Sequence, residues 1–126
     1  MGSLDIRLSR EAAERRGRRA EWLAALALTA RGFRILARRF RAAGGEIDLV
    51  ALRGRLLVFA EAKARARLDE AVFAVTTTTR RRIEAAGRVF LARHPGLAPE
   101  AVRYDIVAVA GWRIRHVPDA WREGDW

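Results

Sequence analysis

Two runs of strand-forming residues, Glu46-Ile47-Asp48-Leu49-Val50-Ala51-Leu52 and Leu56-Leu57-Val58-Phe59-Ala60-Glu61-Ala62-Lys63, are separated only by Arg53-Gly54-Arg55. Aliphatic runs joined by so short a glycine-centred link pair as an antiparallel hairpin. The second run is dense enough in apolar residues to belong in the middle of a sheet. Pairing 53 with 55 across the turn sets Asp48 opposite residue 60, and one further loop residue or a bulge brings it opposite Glu61.

The flanking sequence supplies the rest of the fold. Leu8 to Arg31 lacks proline and carries Leu23, Leu26, Ala27 and Ala30 at helical spacing, widened by Trp22, before the stop at Gly32. Residues 33–40 form an Arg-rich first strand that turns at Gly44-Gly45. Thr76 to Thr79 offer hydroxyl caps to a second helix with the stripe Ile83, Ala86, Gly87 and Phe90, ending near His94-Pro95-Gly96. Residues 64–75 fit an ordered loop or a short helix equally well. Val102–Ala110 and Trp112–Val117 follow as strands, with Asp119–Trp126 as a short tail. The predicted class is α/β, a central mixed β-sheet flanked by helices in the order α-β-β-β-α-β-β. Residues 1–126 make a single domain, with 1–16 expected to be a frayed or mobile start of the first helix.

Composition narrows the chemistry. The chain has no cysteine, which excludes disulfides, thiolate metal sites and cysteine nucleophiles. The longest uncharged runs fall far short of the roughly 20 apolar residues that span a bilayer, and the N-terminus lacks the apolar core of a secretory signal. The expectation is therefore a cytoplasmic protein with no membrane partner. Net charge is +10. It is concentrated in residues 1–41, where 11 arginines face 4 acids, and in residues 42–93, where 10 basic residues face 6 acids. A basic domain of this kind gathers polyanions by phosphate pairing and counterion release, which makes nucleic acid the leading partner class; an Arg-rich codon bias is the competing explanation. Arg38, Arg39 and Arg41, with Arg80, Arg81 and Arg82, are the candidate nucleic-acid-binding residues. Arg113 and Arg115 lie in a near-neutral C-terminal quarter and are expected to contribute little.

Of the 25 basic residues, Lys63 is the single lysine. A compact, rotatable ammonium does work that a planar guanidinium does not. It stands two residues from Glu61, in a hairpin whose other strand carries Asp48. Asp and Glu have poor β propensity, so carboxylates inside strands need a reason. One reading is a hairpin rim bonded to arginines, with Glu61-Ala62-Lys63 an exposed strand end. The other is a site: two neighbouring carboxylates repel unless a hard cation lies between them, and Mg²⁺ or Mn²⁺ is held by one or two carboxylates with waters and substrate phosphates completing the shell. His94 and His116 have no metal-ligand spacing, and no phosphate-binding glycine loop, serine triad or dinucleotide fingerprint is present.

Asp48, followed after 12 residues by Glu61-x-Lys63, resembles the core of the PD-(D/E)xK nucleases, the restriction-endonuclease-like superfamily that includes archaeal Holliday-junction resolvases. A wider set is similar to the bacterial YraN family of small proteins: Ala20-Glu21, Gly32-Phe33, Ile35-Leu36, Gly45 to Val50, Val58 to Lys63, Arg103 to Val107 and Asp119-Ala120-Trp121. The sequence departs from relatives after Lys63, where their aromatic-Gly pair is missing, and at Thr79-Arg80. The resemblance implies a restriction-endonuclease-like fold with Asp48 and Glu61 as metal ligands, Lys63 as the catalytic lysine and Glu21 as the first-helix glutamate of the site. It also implies a Mg²⁺- or Mn²⁺-dependent endonuclease that hydrolyses phosphodiester bonds in DNA, with branched substrates included. Cutting both strands would be simplest as a homodimer. The alternatives are a nucleic-acid-binding module of the same fold that does not cleave, and a protein-interaction subunit. For the latter, Trp112, Trp121 and Trp126 would be an apolar edge, while Trp22, Phe59, Phe90 and Tyr104 are expected in the core.

Overall fold

In a computed structural model, which describes residues 3–125, the chain forms α1 (Ser3–Ala30), β1 (Arg34–Ala42), β2 (Gly45–Arg53), β3 (Leu56–Ala64), α2 (Leu68–Phe73), α3 (Thr77–Arg93), β4 (Ala101–Ala110) and β5 (Arg113–Trp121). The five strands lie in sequence order. β3 and β4 are parallel and the other neighbours antiparallel, so the crossover through α2 and α3 is the one long connection in a mixed sheet. The stretch that fitted either a loop or a short helix contains α2, and the helix expected after the threonines is α3. Thr76 caps it, its Oγ1 accepting from the Thr79 N–H at 3.3 Å.

Two apolar layers hold the sheet. Beneath α3 lie Ile47, Val50, Leu57, Phe59, Ile106 and Trp121, packed on Ile83, Ala86 and Phe90. Beneath α1 lie Leu49, Ala51, Val58, Ala60 and Val107, packed on Ala24, Ala25 and Leu28. The α1 stripe therefore differs from the expected one. Small residues at Ala20, Ala24 and Ala25 bring the helix close to the sheet, with Leu23 and Leu28 beside them, whereas Trp22 and Leu26 face outward, both about half exposed. Trp22 is thus a surface residue, unlike Phe59, Phe90 and Tyr104, which are buried as expected.

The C-terminal segment also differs from its reading as a tail. β5 continues to Trp121, which pairs with Tyr104 and is 4% exposed; its indole N–H donates to Glu84 at 3.0 Å. Trp121 is therefore core and not part of an apolar edge. Trp112 is exposed at the hairpin tip, with the Arg19 guanidinium 5.0 Å from its ring, and Trp126 lies outside the described residues. The extra strand length is held by Asp105, a fully buried carboxylate on β4. It accepts from both Arg103 Nε and a second Arg103 nitrogen at 2.9 Å, from the Asp119 N–H at 3.0 Å and from His116 Nε2 at 2.7 Å. The other His116 ring nitrogen accepts from Arg31 at the end of α1. A short polar chain thereby ties α1, β4 and β5 together, and its satisfied bonds offset the burial of the charge.

Candidate active site

The expected register was off by one, and the difference places the carboxylates. Gly54, in the left-handed region at φ +59°, and Arg55 form a two-residue loop, so Arg53 pairs with Leu56. The ladder then runs to Leu49–Ala60 and stops. One step further, the same register faces Asp48 with Glu61, the pairing that the hairpin was expected to need an extra loop residue to reach.

Asp48 is also where β2 changes the way it faces. Strict alternation would put Asp48 with Val50 and Ile47 with Leu49. Instead Ile47 and Val50 both pack beneath α3 while Leu49 packs beneath α1. The β1–β2 ladder passes from Arg38–Leu49 to Phe40–Ile47 and omits the Arg39–Asp48 pair, and Arg39 sits at φ +50°, which resets the phase of both strands. With no regular ladder at this point, Asp48 Oδ2 accepts the Ala62 backbone N–H of β3 at 2.9 Å. The carboxylate thus satisfies a donor freed where the strands part.

Beyond this parting point two clefts open. One, of about 230 Å³, is lined by Glu46, Asp48, Glu61 and Lys63 with Thr79 and Arg82 of α3. The other, of about 260 Å³, brings Asp48, Glu61 and Lys63 together with Arg16 and Glu21 of α1 and with Arg65. The same three side chains thus form the wall between a cleft on the α3 side and one on the α1 side. Glu61 is 9% exposed, so it is no exposed strand end. Burial, then its hydrogen bond to Asp48 and the charge there, push the Glu61 carboxyl up to about 9, with the Lys63 ammonium pulling the other way. Two carboxylates this close share a proton or a cation.

The fit to a divalent metal follows from that pairing. The described residues contain no group of three or more His, Asp or Glu side chains disposed to hold a metal. The Asp48–Glu61 pair would therefore supply two oxygen donors, the number at which Mg²⁺ keeps waters and recruits substrate phosphates. The histidines lie elsewhere: His94 bonds the Phe90 carbonyl and stacks on that ring, and His116 serves Asp105.

The remaining candidates divide. Glu21 reaches the α1-side cleft, where it accepts from Arg39 Nε at 2.8 Å; that bond and the Glu21 charge hold the Arg39 guanidinium above its ordinary value. Arg39 is thus a partner of Glu21, and Arg41 pairs with Glu46 across 3.5 Å at the surface, as the rim reading expected for Glu46. Arg82 lines the α3-side cleft, whereas Arg80 stands over the Trp121 ring at 5.2 Å, away from the carboxylates. Arg38 and Arg81 are exposed and line neither cleft. Arg16 and Arg65 were missed. Arg16 lies one turn after Ala13 on α1, and both line the α1-side cleft.

Comparison with known proteins places the chain. Residues 20–109, which include every residue of the carboxylate and lysine cluster, match the uncharacterised protein family UPF0102. A UPF0102 protein of Paramagnetospirillum magneticum is 50% identical over 97% of this chain and 98% of its own length. Others from a Chelativorans species (53% identical, 83% of this chain and 85% of the relative) and from Methylorubrum extorquens (52%, 88% of each) are similar over nearly as much. No helix among the described residues is long and apolar enough to cross a membrane. With a family match over most of its length and relatives at half identity over 83–97% of it, the chain belongs to UPF0102, the YraN family.

Proposed function

We propose that this protein is a Mg²⁺- or Mn²⁺-dependent endonuclease of the restriction-endonuclease-like class that hydrolyses phosphodiester bonds in DNA. The observation that carries the reading is the wall of Asp48, Glu61 and Lys63 between two clefts, each with arginine on its far side. A bound divalent ion supplies charge withdrawal from the scissile phosphate and a more acidic water. The chain's own residues supply the rest. Asp48, fixed by the Ala62 N–H, and Glu61, fixed by burial, present their oxygens side by side. Lys63, two residues along β3 from Glu61 and on the same face, orients the attacking water and balances the charge that builds on the phosphoryl oxygens. Arg82 and Arg16 hold flanking phosphates from opposite walls.

One observation favours a second reading, a DNA-binding module of the same fold that does not cut: the site offers two carboxylates and no third ligand group among the described residues. Linear duplex, single strand, flap and four-way junction, each with Mg²⁺ and with Mn²⁺, separate the two. The expected result is metal-dependent cleavage of at least one substrate by the wild type, abolished in Lys63→Ala while binding stays within a few fold, since one charge among 25 basic residues adds little to the total field. Binding without cleavage of any substrate supports the second reading, and absence of both refutes the nucleic-acid assignment.

A further inference from the structure

The C-terminal end of β3 carries more positive charge than the two clefts account for. Reading across the sheet, Lys63 on β3 pairs with Ala108 on β4, and Ala108 with Arg115 on β5; Arg113 faces Ala110 at the same end. Cross-strand partners share a face, so Lys63 and Arg115 project on the same side of the sheet, two interstrand spacings or about 10 Å apart along the row. The segment between them, just after β3, carries Arg65 and Arg67, with Arg65 N–H bonded to the Val109 carbonyl. Arg67, Arg113 and Arg115 together line a cleft of about 580 Å³, wider than either cleft at the carboxylates.

The cleft carries more positive than negative charge, with Asp69 as the one carboxylate among its lining residues. Arg67 is held by Asp69 at 3.4 Å and Glu70 at 4.0 Å. Arg113 and Arg115 project on one face of β5, both exposed, and neither is in an ion pair among the described residues. By contrast Arg39 and Arg41, on β1, are held by the carboxylates of Glu21 and Glu46. Two unpaired guanidiniums in a concave surface focus a positive field and present planar donor forks suited to phosphate oxygens. Sequence position alone put Arg113 and Arg115 in a near-neutral quarter; the parallel β3–β4 pairing brings them to the edge that holds the carboxylates.

We propose that Arg113 and Arg115, with Arg67, form a phosphate subsite of the substrate track. It would grip the nucleic-acid strand beyond the phosphate held at Asp48 and Glu61, about 10 Å along the row from Lys63. The inference rests on the nucleic-acid reading above. It lengthens the footprint: the strand crosses the sheet end from Arg82, over the carboxylates, past Arg65 to β5.

The test measures duplex-DNA affinity against salt, in chelator so that nothing is cut. It compares the wild type, Arg113→Gln/Arg115→Gln, and the charge-matched control Arg34→Gln/Arg122→Gln, whose residues lie at the far end of the sheet. All these side chains are exposed, and equal melting temperatures check that the variants fold. The expected result is a slope of log affinity against log salt shallower by roughly 1.8 in the first variant, 0.9 for each lost phosphate contact, and unchanged in the control. DNA shortened stepwise from each end should erase the difference once the strand no longer reaches β5. A wild type that binds, with both variants equally weakened, overturns the subsite and leaves the proposed function standing. A wild type that shows the Arg113/Arg115 difference in chelator, but cuts no substrate once Mg²⁺ or Mn²⁺ is restored, supports the subsite and removes the nuclease reading. A wild type that binds no nucleic acid overturns both.

Discussion

Gly45→Ala should be among the most damaging single-atom additions to this protein. Gly45 opens β2 at the edge of the site, and a Cβ built on it would lie 1.8 Å from the Arg82 carbonyl oxygen, 2.6 Å from the carbonyl carbon and 3.0 Å from the Arg82 Cα. Ordinary contact begins near 3.4 Å, so α3 and β2 must separate by about 1.6 Å. The obstacle is backbone, which cannot swing aside as a side-chain tip can. The helix seats just as closely further along the sheet, where a Cβ at Gly87 would come within 2.7 Å of the Phe59 ring on β3. Overpacking a close-packed layer costs roughly 1–3 kcal/mol, and a backbone clash this deep belongs at the upper end, about 3 kcal/mol. For a chain of this size that is roughly 12 °C in Tm, at about 4 °C per kcal/mol. Urea and thermal unfolding followed by circular dichroism would measure it. Gly17→Ala is the counter-case, a helical glycine in α1 with nothing within 4 Å of the added atom; it should stabilise by about 0.5–1 kcal/mol. A Gly45→Ala protein less than about 1 kcal/mol below wild type would refute the close seating of α3 on β2, and with it the placement of Arg82 and Thr79 over the carboxylates.

Three other outcomes follow from the polar groups. Mg²⁺ or Mn²⁺ should raise the wild-type Tm progressively with concentration, about 2.7 kcal/mol at one hundred times Kd, and Asp48→Asn should abolish the rise; equal shifts in the two proteins would remove the metal site. Without metal, Glu61 keeps its proton in the folded state to about 9, against an ordinary 4.5, so its contribution to stability is complete below the unfolded value and is lost as pH rises through the folded one. Stability curves between pH 5 and 9 should therefore slope downward, and Glu61→Gln should flatten them; an unchanged slope would show that Glu61 ionises normally. For Asp105 burial raises the carboxyl, but the bonds from His116 and Arg103 outweigh it and leave it below its ordinary 3.8. The stability it provides is present above that value and lost as pH falls through the depressed one. Asp105→Asn should cost about 3–5 kcal/mol at neutral pH and remove part of the acid transition, and a melt within 2 °C of wild type would contradict the role of the Arg31–His116–Asp105 chain.

The hairpin was legible because strand-forming runs on either side of Arg53-Gly54-Arg55 leave few ways to pair, and the proximity of Asp48 to Glu61 followed from register arithmetic. What the arithmetic missed was the left-handed Arg39, a conformation that Arg does not advertise, and with it the change of facing that turns Asp48 toward the Ala62 N–H. On α1 the apolar pattern named Leu26 and Trp22, yet the helix sits so close to the sheet that alanines fill the contact and the larger residues turn outward. Trp121 was misplaced because its segment reads as polar and mixed, and only the buried Asp105 and Glu84 show why it is strand and core. The place of Arg113 and Arg115 beside the end of β3 left no local trace, since it depends on a parallel pairing of residues 45 apart.

The two rims of the sheet bear on whether ladders can grow from one copy of this chain to the next. β1 has a bulge between Ile35 and Ala37, the left-handed Arg39, and guanidiniums at 34, 38 and 41. β5 has Pro118, which lacks an amide hydrogen, the left-handed Asp119 beside a break in register, and Arg113 and Arg115. A neighbouring chain trying to lay down a sixth strand would meet missing or misaligned donors and like charge on either side. Aggregation by ladder growth is thereby disfavoured at both edges. If two copies do associate, the join must be made through helices or the hairpin tip and not by continuing the sheet.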